Sequence, residues 1–431
     1  MPQYYHSVTL DKDKCTGCTS CLKRCPTEAI RIRDGKARII RERCIDCGEC
    51  IRVCPHHAKV AITDSLSDIK KFRYSVALPA PTLYGQFQGL SDIGQVIKAL
   101  CDIGFDGVYE TSAGADVLSK YIRELVHKPN NPRPLISSAC PAIMRLIQVR
   151  FPSLRENIVP FRPPVEVAAS LARESFSKKW GCAKEDIGIF FITPCPAKMT
   201  ARMAPLGSKS SNVDGAISIM ELYGSLASKI GDNLKHGCEI PSRLGLAGGV
   251  GWAASGGEAT QAGIENYLAV DGIHNVIKAL EEIEDGRLSD IDFFEGLACT
   301  GGCVGGPLVF EYSYITKMRL KKLCEAMRKQ DRQDYRSSVI LEDEQMIYLD
   351  SEIPPNPVLK LDPDFRVAIK MMERIDAIEA DLPGLDCGSC GSPTCRCQAE
   401  DIVRGYSTEI DCIYKLKEKF RNLSLNESEN K

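Results

Sequence analysis

The segment Glu295-Gly-Leu-Ala-Cys299-Thr-Gly-Gly-Cys303-Val-Gly-Gly-Pro307 sets two cysteines in a glycine-rich run. Thiolates are soft anionic ligands for iron, and glycines let a backbone bend round a bulky cluster and donate N–H groups to its sulfurs. Two cysteines four positions apart also fit one face of a helix, so this spacing alone leaves both readings open. Two Cys-Pro loops upstream add weight to the cluster reading: Ser137-Ser-Ala-Cys140-Pro141 and Thr193-Pro-Cys195-Pro-Ala-Lys198. Three turn-like segments supplying Cys140, Cys195, Cys299 and Cys303 can close around one 4Fe-4S cube. Lys198 reads either as a solvated surface lysine or, on a loop facing an anionic cofactor, as an ammonium with three donors to offer.

Cysteine is the outlier of the composition, 21 in 431 residues. Near the N-terminus, Cys15-x2-Cys18-x2-Cys21-x3-Cys25-Pro26 is followed by Cys44-x2-Cys47-x2-Cys50-x3-Cys54-Pro55. In the bacterial two-cluster pattern the fourth cysteine of each run ligates the other cluster. One cube is therefore assigned to Cys15, Cys18, Cys21 and Cys54, and a second to Cys44, Cys47, Cys50 and Cys25. The segment resembles a bacterial ferredoxin, which implies electron transfer; structural zinc is the weaker alternative, since it needs no doubled repeat. His56 and His57 read as surface residues. A last set, Cys387, Cys390, Cys395 and Cys412, the final one expected on a helix, suits a further 4Fe-4S cluster or zinc. Cys101, Cys182, Cys238, Cys324 and Cys397 are left over, and most are expected to be small buried hydrophobes.

The elements that must position these groups alternate between strand and helix. Strands are predicted at Ala29–Ile32, Ala37–Arg41, Tyr74–Leu78, Gly107–Glu110, Pro134–Ser138 and Ile187–Thr193, the last two leading into Cys140 and Cys195. Helices are predicted behind a Ser91 cap, through Ile93, Val96, Ile97 and Leu100, and over Phe365–Ala380. Cysteines beyond strand ends are what an α/β fold offers, because its sites lie in the crevice there. Gly249-x-Gly251-x-x-Ala254, with Asp271 downstream, is a candidate dinucleotide fingerprint, but no clean strand precedes it; close packing explains the glycines equally well. A polar connection with a short strand at Val339–Leu341 and a frayed tail at 422–431 complete the pattern. The expected domains are 1–66, a ferredoxin-like α+β domain with two clusters; 67–350, an α/β domain with two lobes of mostly parallel sheet and helices around a buried cluster; and 351–431, a linker with a small helical iron-sulfur domain. The net charge of −2 gives no bulk attraction for nucleic acid or an anionic membrane. No stretch reads as membrane-spanning, and the start lacks a secretory pattern, so a cytoplasmic location is expected.

The three loops, in the same order, resemble the signature motifs of the diiron (FeFe) hydrogenases, with Val108-Tyr-Glu-Thr-x-x-Gly-Ala-Asp116 and Ala80-Pro81-Thr82 as supporting pieces. The similarity spans roughly residues 70–320. It implies that Cys140, Cys195, Cys299 and Cys303 bind the 4Fe-4S part of an H-cluster, with Cys303 bridging to a diiron subsite carrying CO, cyanide and an azadithiolate. It also implies that Lys198 hydrogen-bonds one cyanide, that Pro81 and Thr82 line the pocket, and that three accessory 4Fe-4S clusters relay electrons.

The departures bear on function. The first motif of the family usually reads Thr-Ser-Cys-Cys-Pro, and its first cysteine passes protons to the azadithiolate; here Ala139 stands there. Ala201 replaces a glutamate of the proton path, while Val159 and Val165 fall, by ungapped count, where a serine and a glutamine are usual. Thr193 and Leu297 replace methionines. A relay group of matched pKa contributes about 10²- to 10⁴-fold to rate. The pattern thus resembles the sensory subgroup: reversible hydrogen oxidation and proton reduction at low turnover, with hydrogen and protons as substrates and a separate redox or signalling chain as partner. The alternatives are a slow metabolic, ferredoxin-linked hydrogenase with another proton route, through Glu124 or water, and a non-catalytic electron-transfer or assembly protein without the diiron unit. Oligomeric state, including a homo-oligomer, is left open.

Overall fold

The computed structural model describes residues 5–237, 239–331, 341 and 343–429. Its two units do not follow chain order: one comprises Met1–Ser7, Ile45–Gly48 and Ile62–Pro355, the other Val8–Cys44, Glu49–Ala61 and Asn356–Lys431. No helix among the described residues is long and apolar enough to cross a membrane.

In the larger unit, strand Ile187–Thr193 is buried along its whole length, as a parallel strand covered on both faces must be. It lies in a four-stranded parallel sheet ordered Gly107–Val108, Tyr74–Pro79, Ile187–Thr193, Gly215–Ser218, with Tyr74 opposite Ile187 and Phe190 opposite Gly215. Strand alternation sends neighbouring side chains to opposite faces. Val76, Leu78, Ile189 and Phe191 join one core with Leu118, Ile122 and Val167; Ala77, Phe190 and Ile192 join another with Leu100, Leu222 and Leu226. A second parallel sheet is ordered Tyr267–Asp271, Phe293–Leu297, Leu135–Ile136. Helix Thr111–Val126 packs closely on Pro164–Trp180 because position 114 is glycine; a Cβ there would lie 2.4 Å from the Pro164 carbonyl oxygen.

Several local expectations need correction. The strand expected over Gly107–Glu110 stops at Val108, and helix Thr111–Val126 starts directly after Glu110. The one expected over Pro134–Ser138 shortens to Leu135–Ile136. Ser91 does not cap a helix: the helix runs Gly94–Asp102, and Asp92 accepts from the Gly94 N–H at 2.7 Å. Residues 339 and 340 of the expected Val339–Leu341 strand lie outside the described residues. The tail is helical over Ile413–Glu429, with Lys415 paired to Asp381 and Glu418.

In the smaller unit, Val8–Leu10 pairs antiparallel with Lys59–Ala61, and Ile30–Arg33 with Lys36–Ile39. Helices Phe365–Asp381 and Cys395–Val403 belong to the same unit. Within it Asp401, on the second of these helices, is a buried ionic hub. Its carboxylate accepts from Arg31 Nε at 2.6 Å, Arg33 Nη2 at 2.9 Å and the Ser392 hydroxyl at 2.7 Å. Removing one member of such a cluster strands the other charges, at a cost of about 3–5 kcal/mol. Asp401→Ala should destabilise this unit by that order, read as an earlier loss of cluster absorbance in denaturant; an unchanged midpoint would show that the arginines find other partners.

Candidate metal-cluster sites

All three cysteine loops leave the carboxyl ends of parallel strands. Cys140 follows Leu135–Ile136 and caps helix Pro141–Arg150; Cys195 follows Ile187–Thr193 and caps helix Pro196–Met203. Proline fits both first helical positions, where no N–H is needed. The Cys195 N–H donates to Thr193 Oγ1 at 3.2 Å, while the Thr193 hydroxyl donates to the Cys195 carbonyl at 3.0 Å. Cys299 follows Phe293–Leu297, and Cys303 opens a short 3₁₀ turn, Cys303–Gly305. These two are therefore loop cysteines and do not share a helix face. Gly302, with φ 100°, carries the reversal, and a Cβ there would come within 2.8 Å of both Ala253 O and Ser255 N.

The loops bring the four thiols into one electrostatic neighbourhood. Burial pushes the Cys303 thiol far above its ordinary range, and the nearby Cys195, Cys140 and Cys299 push it further, with Lys198 opposing. Burial likewise raises Cys195. Crowded, buried thiols that resist ionisation become good ligands only when a cationic core repays the desolvation, so this donor set fits an iron-sulfur cluster. Lys198 Nζ donates to the Ala139 carbonyl at 2.8 Å, which fixes the ammonium beside the first loop with two N–H donors to spare. Pro81 opens the turn Pro81–Gln86, in which the fully buried Thr82 hydroxyl has no hydrogen-bond partner among the described residues.

At the positions where the resemblance leads one to expect a proton relay, the side chains hold no transferable proton. Ala139 and Ala201 are half-buried, Val159 is fully buried in the core, and Val165 and Ala201 line a small cavity with Lys198 and Glu166. Glu124 is exposed on helix Thr111–Val126.

Sequence reasoning passed over a set of buried carboxyls. Ser137 receives the Ala139 N–H at 3.1 Å and donates its hydroxyl to Glu258 at 2.5 Å. Glu295 accepts from Gly256 N and Ala259 N. Burial raises both carboxyls above their usual range, and for Glu258 the charge of Glu295 adds to it. Glu110 accepts from Leu244 N and Gly245 N, and Asp116 from Leu246 N and Gly249 N. The only sequence signal was the presence of Glu110, Asp116 and Glu295 inside the quoted motifs, since backbone N–H partners leave no trace in a residue pattern. The clamp also answers the fingerprint question. Helix Ala247–Gly251 follows no strand, and a Cβ on Gly249 would meet Ser112 O at 2.2 Å, so Gly249 serves close packing, whereas a Cβ on Gly251 would meet open space.

Burial raises Glu110 and Asp116 each to about 7. The folded state thus holds their protons where the unfolded chain has released them. Their contribution is complete below the ordinary carboxyl range and is lost as pH rises towards and through 7. Stability should fall over that window by up to about 1.4 kcal/mol per pH unit for each fully titrating group. Glu110→Gln with Asp116→Asn should flatten the slope in denaturant titrations across pH; a slope identical to the parent's would contradict this origin.

The remaining cysteines lie as follows. Cys15, Cys18, Cys21 and Cys54 line one cavity of the smaller unit. Cys387, Cys390, Cys395 and Cys412 line another. Cys25, Cys44 and Cys50 are in the same unit, while Cys47 falls in the Ile45–Gly48 segment of the larger one. The Ala29 and Ala58 N–H groups donate to Cys25 Sγ and Cys54 Sγ, both at 3.2 Å, a backbone–sulfur contact that suits cluster ligands. Cys412 is not on a helix but immediately before one, Ile413–Glu429, because a 3₁₀ turn ends at Asp411. His56 and His57 are exposed. Of the leftover cysteines, Cys324 and Cys397 are buried, Cys182 is half-buried, Cys101 is exposed, and Cys238 lies outside the described residues.

Comparison with known proteins is consistent with this geometry. Residues 73–307 match the family model described as iron only hydrogenase large subunit, C-terminal domain; residues 7–55 match a 4Fe-4S dicluster domain, and 382–414 an Fe-S cluster model. The chain is 25% identical over 365 residues to the periplasmic Fe hydrogenase large subunit of Nitratidesulfovibrio vulgaris, covering 71% of this chain and 86% of that protein. It is 24% identical over 368 residues to iron hydrogenase 1 of Clostridium pasteurianum, covering 70% of this chain and 64% of the relative. A solved FeFe-hydrogenase structure from Chlamydomonas reinhardtii aligns at 15% identity and a TM-score of 0.46, over 68% of this chain and 97% of that one.

Proposed function

The chain belongs to the iron-only hydrogenase large-subunit family, and from that premise we propose that it is a slow hydrogenase of the sensory kind. The observation that carries the reading is local: four thiols and Lys198 are gathered as a cluster site, while the residue beside them is Ala139, whose methyl cannot move a proton. Cys140, Cys195, Cys299 and Cys303 would hold an H-cluster, with Cys303 the ligand shared with its diiron part. Bound there, the group would supply the centre at which hydrogen is split or formed, together with storage for electrons.

The protein's own part is to hold, orient and exclude. Lys198, anchored on the Ala139 carbonyl, offers its two remaining N–H donors to an anionic cofactor. Pro81 and the unpartnered Thr82 hydroxyl would line the pocket. Val159 and Val165 leave an apolar path where protons would otherwise pass. Slow exchange of protons lets the redox state of the clusters report hydrogen without consuming much of it. The ferredoxin-like pair and the C-terminal set, read as three accessory 4Fe-4S clusters, would carry electrons to a separate redox or signalling chain.

One observation favours a second reading, a metabolic hydrogenase with a different proton route. Ser137 and Glu258 form a buried hydrogen-bonded pair next to Ala139, and they hold the transferable protons that the relay positions lack.

Ala139→Cys separates the two. On anaerobic, cofactor-loaded protein the sensory reading predicts that hydrogen evolution rises by about 10²- to 10⁴-fold, as restoring a relay group would, and that Glu258→Gln leaves the parental rate unchanged. No gain from the cysteine, with a collapse on Glu258→Gln, would establish the other route.

A further inference from the structure

The two halves of the ferredoxin-like segment share the spacing Cys-x2-Cys-x2-Cys-x3-Cys-Pro-x2-Ala, and the residue after that alanine differs in charge. Cys25-Pro-Thr-Glu-Ala29 is followed by Ile30, and Cys54-Pro-His-His-Ala58 by Lys59. The correspondence is structural as well as sequential: each alanine N–H donates to the preceding cysteine's sulfur, and each following residue opens a strand. Ile30 and Lys59 are both 2% exposed. An apolar side chain suits that burial, whereas an ammonium there is strongly disfavoured without a counter-charge.

Among the described residues Lys59 Nζ has no hydrogen-bond partner and no carboxylate within ion-pair distance. It lines the same cavity as Cys15, Cys18, Cys21 and Cys54. Burial raises the Cys21 thiol, and Lys59 is the neighbour that pulls it back down. The anion-forming groups lining the cavity are the four thiols, so the counter-charge for this buried cation is the thiolate-ligated cluster that they fit.

We infer that Lys59 is an electrostatic positioning residue for the cluster of Cys15, Cys18, Cys21 and Cys54, raising its reduction potential and so making it the electron-retaining member of the ferredoxin-like pair. Reduction adds one electron, and hence one negative charge, to the cluster; no bond forms or breaks. A fixed cation in a water-poor pocket stabilises the more negative, reduced state over the oxidised one. The position related by the repeat, Ile30, carries no charge that could do the same. The inference concerns electron distribution within the chain and stands apart from whether the hydrogen site is fast or slow.

The test is a redox titration of the full chain, reduced stepwise with dithionite under argon and followed by electron paramagnetic resonance, with iron content measured on each sample. Lys59→Ile, which copies the repeat partner, should lower the midpoint of one accessory cluster and leave the others in place. The expected shift is on the order of tenfold in the reduced-to-oxidised ratio, about 59 mV for a one-electron couple. Lys59→Arg, which keeps the charge, should restore the parental midpoint. Lys59→Met, matched in length, is read alongside so that the result stands even if the isoleucine variant fails to load its iron. Parental midpoints in a neutral variant with full iron, or an equal drift of every cluster, would overturn the inference.

Discussion

Four thiols, Cys299 buried and Cys140, Cys195 and Cys303 half-buried, gathered beyond the carboxyl ends of parallel strands are the constraint on which the larger unit depends. Apart from a cationic core ionisation is unfavourable at Cys303, because burial and the neighbouring thiols both oppose it. The fold meets this geometrically. The first two cysteine loops enter helices through prolines, and the third reverses on Gly302, where a side chain would collide with the 253–255 backbone. The two parallel sheets supply the rigid strand ends from which these loops project.

Buried carboxyls, whose partners are mostly backbone N–H groups, tie the loops of the larger unit together. Glu110 and Asp116 hold residues 244–249, and Glu295 holds 256 and 259. Glu258 ties Ser137 to the same region. Loops rich in small residues lack large side chains to fill the space around themselves, and hydrogen bonds that their backbone N–H groups donate to buried acids fix them instead. That solution carries a cost of pH sensitivity, since each acid is most comfortable protonated. It also puts a buried hydroxyl–carboxyl pair, Ser137 and Glu258, next to Ala139.

Much of this was legible in the sequence because the chemistry repeats in recognisable spacings. The doubled C-x2-C-x2-C-x3-C-P runs, and the uninterrupted apolar strand Ile187–Thr193 leading into Cys195, needed only local reading. What escaped was non-local or spelled in backbone. Glu258 lies far from Ser137 in the chain, and nothing in Gly-Glu-Ala announces a partner. Ser91 looked like a helix cap, but Asp92, one residue on, holds the helix start. Cys412 and the tail were misjudged because one turn, ending at Asp411, decides where the last helix begins. The break in symmetry between Ile30 and Lys59 stood in plain view, but it acquired meaning only when burial showed both side chains shut away from water.

The central claim is a hydrogen-binding cluster site whose proton path is interrupted. It is tested most directly by infrared spectroscopy of the anaerobically purified protein, loaded with the diiron cofactor and then exposed to hydrogen. The account predicts CO and cyanide bands that shift under hydrogen while the same sample evolves hydrogen slowly. Absence of those bands in protein carrying its full complement of iron would contradict it, leaving four plain cubes and an electron-transfer role.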